Sequence, residues 1–208
     1  MTSATYAHAS AEIAARDPVW ARVVSRVGPC TIGRGRPRRT HFAELARAIC
    51  YQQLAGGAAR AIHGRFEALV DGRPTPDAVL ALPEGALRGA GLSAAKVASL
   101  RDLAARVATG DVRLARIGRL PDEDVIRHLT VVRGVGRWTA EMFLMFQLRR
   151  IDVWPVDDLG VRKGYARIVG APTMPSPREL ESLGDGFRPY RSVAAWYCWR
   201  AVDTITPS

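Results

Sequence analysis

Two glycines separated by one residue stand directly before a strongly helical run in VVRGVGRWTAEMF, residues 131–143. Gly134 and Gly136 permit a tight or left-handed backbone, because a residue without a Cβ meets little steric hindrance there. One helical pattern ends near Leu129 and the next begins at Arg137. The segment therefore predicts two helices joined by a short glycine turn.

The start of the second of these helices is also a candidate anion site. The first amides of a helix lack intrahelical acceptors and lie at the positive end of the helix dipole. We expect this hairpin to grip a nucleic-acid phosphate, which would position a strand without reading its sequence. The residues concerned are Gly134, Val135, Gly136, Arg137 and Thr139. An ordinary helix-turn-helix corner uses the same glycines, so the pair by itself leaves both interpretations open.

Helical spacing and capping residues dominate the rest of the chain as well. Asp17 and Gly28 delimit one short helix, Ser93 and Gly110 delimit a longer one, and apolar residues recur at helical intervals from Phe42 onward. The residues ahead of position 17 are predicted to fray. Because no segment alternates convincingly with period two, the sequence predicts an all-α protein of about ten short helices.

The charge of the chain favours a polyanionic partner. The formal net charge is +10, the isoelectric point is about 10.5, and all but two of the 30 basic residues are arginine. Arginine suits phosphate, because its planar fork can hold two oxygens at once. The most concentrated stretch is TIGRGRPRRT, residues 31–40. It is either a solvated basic loop, the simpler interpretation, or a hook for the DNA minor groove.

Cysteine and histidine usage argues against metal or disulfide chemistry. The three cysteines and four histidines are scattered, with no C-x-x-C pair and no metal-ligand spacing. No apolar run approaches the roughly 18 residues of a membrane helix, and the first residues do not resemble a secretion signal. We therefore expect a cytoplasmic protein without a membrane partner.

Two adjacent carboxylates follow a proline in DVWPVDDLG, residues 152–160. Asp157 and Asp158 stand where another helix begins, and one interpretation makes one of them its N-cap and places the other in its first turn. The alternative is chemical. A carboxylate fixed at a helix N-terminus could stabilise the positive charge that develops on a sugar when an N-glycosidic bond breaks. The pair alone does not decide between the two.

Longer segments resemble one family. Residues 129–160, LTVVRGVGRWTAEMFLMFQLRRIDVWPVDDLG, are similar to the hairpin and Gly/Pro/Asp region of the helix-hairpin-helix DNA glycosylases. RAICYQQLAGGAA, GLSAAKVASL and PYRSVAAWYCWRAVD resemble the alkylpurine branch, 3-methyladenine DNA glycosylase II or AlkA-like. The resemblance covers most of residues 42–203.

The resemblance implies a domain organisation. Residues 1–208 would form a single HhH-GPD unit of two helical lobes, with no room for the N-terminal β-domain that some members carry. One lobe would span approximately residues 42–150 and end in the hairpin at 129–148. The other would combine approximately residues 1–41 with 151–208.

The resemblance also assigns the chemistry. It implies that Asp158 is the catalytic carboxylate, which leaves Asp157 as the helix cap. Members that also cut the DNA strand carry a lysine where this chain has Trp138, and an amine at that position attacks the sugar. A monofunctional enzyme that uses water is therefore expected.

Further residues match the family's DNA contacts. Leu54, with Gln53, resembles the wedge that fills the space left by an extruded nucleotide, although a buried core leucine is the simpler interpretation of Leu54 by itself. Trp138 and Trp199 match walls of the base pocket, and Met142 replaces an aromatic residue found in some members. A cationic alkylated purine would gain about 0.5–2 kcal/mol from such rings.

The resemblance also concerns a cation site in the hairpin and the residue before its first glycine. Backbone carbonyls of the hairpin often bind a monovalent cation, which implies a structural Na⁺ or K⁺ on Thr130, Val132 and Val135, with no cofactor required for the reaction. The family usually has proline before the first hairpin glycine, whereas this chain has Arg133. That exchange would alter the rigidity of the turn and add a phosphate contact.

Together these features predict a monomeric, monofunctional DNA glycosylase. Its substrate would be 3-methyladenine or 7-methylguanine in damaged double-stranded DNA, its pathway base excision repair, and its location the nucleoid. The alternatives are a non-catalytic helix-hairpin-helix module that only binds DNA, and a glycosylase for other damaged bases.

Overall fold

A computed structural model describes residues 3–33 and 39–204 of the chain, with backbone alone at positions 3, 4 and 204. The regular structure in these ranges is entirely helical, which confirms the predicted all-α class. There are twelve α-helices here rather than about ten. They are α1 Ser3–Arg16, α2 Pro18–Val27, α3 His41–Tyr51, α4 Gly56–Ala68, α5 Pro76–Ala81, α6 Glu84–Gly89, α7 Ala94–Thr109, α8 Asp122–Thr130, α9 Arg137–Met142, α10 Leu159–Val169, α11 Pro177–Leu183 and α12 Arg191–Thr204.

Three further helical segments, which are not α-helices, connect these elements. Leu114–Arg119 and Asp185–Phe187 are 3₁₀ turns, and Phe143–Gln147 is a single π-helical turn that continues α9. Half of the basic stretch at 31–40, residues 34–38 with three of its four arginines, lies outside the described residues. None of the helices in 3–33 and 39–204 is long and apolar enough to cross a bilayer.

Capping residues set the helix ends much as the sequence predicts. The Asp17 side chain accepts a hydrogen bond from the Val19 amide at the start of α2, and the Ser93 hydroxyl accepts one from Lys96 at the start of α7. Gly110 ends α7 in the left-handed conformation that favours glycine. These local signals decide where the helices begin and end.

The prediction for the first residues was wrong, because α1 is a helix of fourteen residues rather than a frayed start. Tyr6, Ala9 and Ile13 lie on one face of α1 and are buried against neighbouring elements that include α2. Tertiary packing stabilises such a helix more than intrinsic propensity does. The local pattern did not predict this helix, because the segment is rich in alanine and only these three residues mark its buried face.

The chain divides into two compact units. One combines residues Met1–Arg36 with Leu144–Ser208, and the other is Pro37–Phe143. We call them the discontinuous unit and the central unit. The breaks fall a few residues before those expected near positions 42 and 150.

The central unit is built around α3, α4 and α7. Its core is made of large side chains that are almost completely removed from solvent, and the hairpin formed by α8 and α9 belongs to this unit. The largest of these side chains are Leu45, Ile49, Phe66, Leu87, Leu92, Leu100, Leu103, Ile117 and Leu129.

The discontinuous unit depends on the close packing of α10 against α12. A Cβ built on Gly164 of α10 would lie 1.9 Å from the backbone oxygen of Cys198 on α12. Aromatic rings fill the adjoining core: Trp20 meets Phe187 with ring centroids 4.6 Å apart, and the Trp154 indole donates to the Leu180 carbonyl at 2.7 Å. Any side chain at 164 must therefore push two helices apart.

We expect Gly164→Ala to lower the free energy of unfolding by roughly 3 kcal/mol, because the new methyl group meets backbone rather than a movable side chain. Gly64→Ala is the matched control. Gly64 lies in the interior of α4, with open space where its Cβ would be, so alanine there should stabilise by about 0.5–1 kcal/mol. Urea unfolding of both variants measures the difference, and similar effects from the two substitutions would contradict the packing described.

Candidate functional site

Asp158 is the N-cap of α10. Its Oδ1 accepts a hydrogen bond from the Val161 amide at 2.8 Å, and the side chain is 8% exposed. The prediction that Asp157 is the cap was wrong: Asp157 lies in the preceding turn and is exposed. Both aspartates fit the start of a helix by sequence, and only the backbone direction after Pro155 decides which one turns back onto the first amides.

A second donor reaches the same oxygen. The indole Nε1 of Trp199, on α12, donates to Asp158 Oδ1 at 2.8 Å. Hydrogen bonds to an ionised group are stronger than those between neutral groups. The carboxylate is therefore held by one donor from its own helix and one from the neighbouring helix.

Two glycines allow this arrangement. A Cβ on Gly160 would lie 2.7 Å from Trp199 Cδ1 and 3.1 Å from Asp158 Oδ1. Gly164, one turn further along α10, permits the close approach of α12 that carries Trp199. Gly160 was not among the predicted site residues, although its place two residues after the predicted catalytic Asp158 is a usable signal for a close contact.

Phe146 is a site residue that the sequence analysis missed. Its ring stacks on Trp199, with centroids 5.8 Å apart and planes inclined by 28°, and 46% of its surface is exposed. In sequence, Phe146 lies in the apolar run FLMF at the end of the predicted hairpin. The π-helical turn at 143–147 shifts the register of that run, a feature often found at functional sites and not readable from periodicity.

Cys198 lies behind the carboxylate and stays a neutral thiol. Burial raises its pKa well above the usual value, and the charge of Asp158 raises it further. A thiol held protonated is a poor nucleophile. The thiol is also completely buried, so Cys198 is a packing residue of α12.

The hairpin of the central unit has the predicted arrangement, with α8 ending at Thr130 and α9 beginning at Arg137. Gly134 has φ of +75°, and a Cβ there would lie 2.5 Å from the hydroxyl oxygen of Ser99. Gly136, by contrast, is extended and caps α9 without a side chain. The left-handed conformation requires the first glycine. The second has no side chain that could bind the first amides of α9, so those amides have no side-chain cap.

The side chains of the hairpin are mostly engaged within the protein. Arg137 forms ion pairs with Glu123 at 2.6 Å and with the buried Glu141 at 3.1 Å. Val135 and Thr139 are buried. A phosphate contact by these residues would therefore come from backbone amides rather than from the guanidinium.

Arg133, which replaces the family's usual proline, anchors the turn by its backbone. Its amide donates to Asp102 Oδ2 at 2.7 Å, a bond that proline could not form. Burial acts to raise the pKa of Asp102, but the hydrogen bonds from the Arg133 amide and from Arg106 outweigh it, and the pKa lies below its usual value. An ionised side chain from α7 thus restrains the turn where a proline ring would otherwise do so.

The cation predicted for this turn stays a prediction. The Val132 carbonyl accepts the Val135 amide at 3.0 Å, so one of its lone pairs is already used in the turn. Within 3–33 and 39–204, no cluster of three or more histidine, cysteine or acidic side chains could hold a metal ion. A cation here would rely on backbone oxygens, of which Thr130 and Val135 are the other two predicted.

The predicted wedge lies between α3 and α4. Leu54 is 39% exposed, which does not fit the alternative of a buried core leucine. Gln53 beside it has φ of +56°, a left-handed conformation that is uncommon for residues other than glycine. The two side chains therefore stand at an exposed and conformationally restrained turn.

The residues predicted to line a base pocket belong to different units. Trp138, 45% exposed, and the half-buried Met142 are on α9 of the central unit. Trp199 is on α12 of the discontinuous unit, beside Asp158. The structure brings Asp158 together with Trp199, and the three-residue pocket stays a prediction.

Comparisons with known proteins identify the family of this chain. Residues 46–189 match the family described as HhH-GPD superfamily base excision DNA repair protein, so the chain belongs to that superfamily. It is similar to DNA-3-methyladenine glycosylase 1 of Schizosaccharomyces pombe, with 36% identity over 187 residues that cover 88% of this chain and 82% of the relative.

Two solved structures show the same fold. The Schizosaccharomyces pombe 3-methyladenine DNA glycosylase Mag1 in complex with abasic DNA superimposes with a TM-score of 0.87 at 33% identity, over 97% of this chain and 99% of that one. A DNA-3-methyladenine glycosidase from Bacillus halodurans gives 0.82 at 33% identity, over 92% and 88%.

Proposed function

We propose that this protein is a monofunctional DNA glycosylase that hydrolyses the N-glycosidic bond of alkylated purines in duplex DNA, the first step of base excision repair. The observation that carries the proposal is the Asp158 carboxylate, held by the Val161 amide and the Trp199 indole in a chain of this superfamily. The relatives named as 3-methyladenine glycosylases support the substrate class. Such an enzyme acts where the chromosome is, in the nucleoid.

The carboxylate would act as a fixed counter-charge. As the bond between the base and C1′ breaks, the electron pair leaves with the base and positive charge develops on the sugar. An anion that is already oriented needs no reorganisation to stabilise that charge. Asp158 would also orient the water whose oxygen bonds to C1′ and accept the proton that this water loses.

Trp199 would position the carboxylate rather than only bind the base. Its indole N–H fixes Oδ1, and Phe146 fixes the plane of the indole by stacking on it. The exposed edge of this pair offers aromatic surface to a purine. A cationic base stacked on such rings gains about 0.5–2 kcal/mol from the ring electrons.

The lysines support the use of water instead of a covalent amine. Position 138, where strand-cutting members have lysine, is tryptophan. Lys96 donates its ammonium group to the Cys50 carbonyl at 2.8 Å, which occupies it in a structural role. We therefore expect no Schiff-base intermediate.

The function is tested by incubating the protein with methylated duplex DNA, identifying the released bases, and adding borohydride to trap any covalent complex. We expect free 3-methyladenine and 7-methylguanine and no trapped complex. Asp158→Asn should lower the single-turnover rate of release by about 10²-fold, because a fixed charge is lost.

Asparagine caps helices as well as aspartate does, so the fold of this variant should persist. Affinity for undamaged duplex, measured by fluorescence anisotropy, should stay unchanged and serves as the control. Release at the parental rate by Asp158→Asn would refute the assignment. DNA binding without base release by the parent would leave only the DNA-binding module.

Trp199→Phe keeps an aromatic ring on Phe146 but removes the donor to Asp158. We expect the rate of base release to fall about tenfold, the equivalent of one hydrogen bond to a charged group. Trp196→Phe is the matched control, because Trp196 lies on the same helix and packs its ring against Tyr197 at 5.0 Å. Equal rates for the two variants would show that the indole N–H does not position the carboxylate.

Leu54→Ala should slow base release from duplex DNA by about tenfold while changing the free energy of unfolding by less than about 0.5 kcal/mol, because the side chain is exposed. Leu80→Ala, at an exposed leucine of α5, is the control and should leave both quantities unchanged. Single-turnover kinetics and urea unfolding check the two halves of this prediction. A large loss of stability would instead identify Leu54 as a packing residue.

A further inference from the structure

One side chain connects the segment that carries the predicted wedge to the hairpin. Gln52 follows the last residue of α3, and its Nε2 donates to the Gly134 carbonyl at 2.9 Å and to the Thr139 hydroxyl at 3.4 Å. All three residues belong to the central unit. The bond joins positions 82 residues apart, so it is a tertiary restraint rather than a local turn.

The hairpin side of this bond is rigid. Gly134 has a left-handed conformation and lies so close to Ser99 that a Cβ would not fit, and the amide of Arg133 is bound by Asp102. Ser99 and Asp102 both project from α7, the sixteen-residue helix of the unit. The Gly134 carbonyl is therefore an acceptor with a fixed position.

The wedge side is restrained just before Gln52. The Lys96 ammonium group donates to the carbonyl of Cys50 near the end of α3. The last carbonyls of a helix receive no hydrogen bond from amides of the same helix, so this bond caps α3. Beyond it, Gln53 takes a left-handed φ of +56° and the Leu54 amide donates to the Tyr51 carbonyl at 3.3 Å. Such a conformation persists only where surrounding contacts hold it.

We propose that Gln52 is a positioning residue that makes the wedge and the hairpin one rigid element. This inference rests on the proposed function. A hairpin that holds a backbone phosphate then places Leu54 at a fixed distance along the strand, and binding energy is used to extrude the nucleotide. Without the bond, the hairpin can bind DNA while Leu54 samples several positions.

Position 52 requires an uncharged hydrogen-bond donor that is as long as glutamine. Methionine has nearly the same shape as glutamine but no N–H, so Gln52→Met removes the two hydrogen bonds without adding charge near DNA. Lys96 and its bond to Cys50 stay in place, which keeps α3 capped. Urea unfolding of the variant confirms that it folds.

The test is a double-mutant cycle of the parent, Gln52→Met, Leu54→Ala and the double variant. The first readout is the fluorescence of 2-aminopurine placed beside an abasic-site analogue in duplex DNA, which rises when the base unstacks. The second is single-turnover release from methylated duplex. A residue that acts through Leu54 loses its effect once Leu54 is replaced, whereas a general structural role does not.

We expect Gln52→Met to reduce the release rate about tenfold and to lower the fluorescence change, with affinity for undamaged duplex within about twofold of the parent. In the Leu54→Ala background the same substitution should change both readouts less than about twofold. An equal effect in both backgrounds, or no effect in the parent, overturns the proposal.

The two readouts separate this inference from the proposed function. A parent that unstacks 2-aminopurine but releases no base refutes the glycosylase while the cycle still decides the role of Gln52. A parent that releases bases with additive effects in the cycle refutes only the positioning role. A parent that gives no fluorescence change refutes the wedge, and the positioning role with it.

Discussion

The candidate site depends on two hydrogen bonds to one carboxylate oxygen. Asp158 Oδ1 accepts one hydrogen bond from the Val161 amide, as an N-cap side chain commonly does. It accepts a second from the Trp199 indole, which only the tertiary structure brings within reach. The second bond requires α12 to lie against α10 at Gly164 and requires the absence of a side chain at Gly160. The packing of the discontinuous unit is thus the condition for a fixed anion, and a fixed anion is what cleavage of an N-glycosidic bond needs.

The central unit shows the same principle applied to DNA binding. The hairpin turn is hydrogen-bonded by Asp102 from α7 and by Gln52 from the wedge segment, and its Gly134 lies close against Ser99. Several of its side chains are engaged within the protein, as with Arg137 and its two glutamates. The backbone amides and the exposed Arg133 side chain remain for a phosphate, and such contacts position a strand without selecting its sequence. This suits an enzyme that must examine DNA of every sequence.

The two units also explain the kind of selectivity to expect. A cationic alkylated purine is already a good leaving group, so a counter-charge with no strong general acid is sufficient for it. Burial raises the pKa of the Cys198 thiol, Lys96 is committed to the end of α3, and position 138 is tryptophan, all of which favour the oxygen chemistry of Asp158 and water. Under the proposed function, discrimination among lesions would rest on aromatic surface, and Phe146 and Trp199 form a stacked pair beside Asp158.

The sequence by itself determined the helical class, most helix boundaries, the glycine turn and the position of the paired aspartates at the start of a helix. Caps, glycines and periodicity act over a few residues, so the local sequence is enough to indicate them. It did not determine α1, whose three buried anchors gain their stability from packing, or the choice of Asp158 over Asp157 as the cap. It also left out Phe146, Gly160 and Gln52. Their roles arise from a π-helical turn, a helix-helix approach and a bond across 82 residues, and only tertiary structure brings those atoms together.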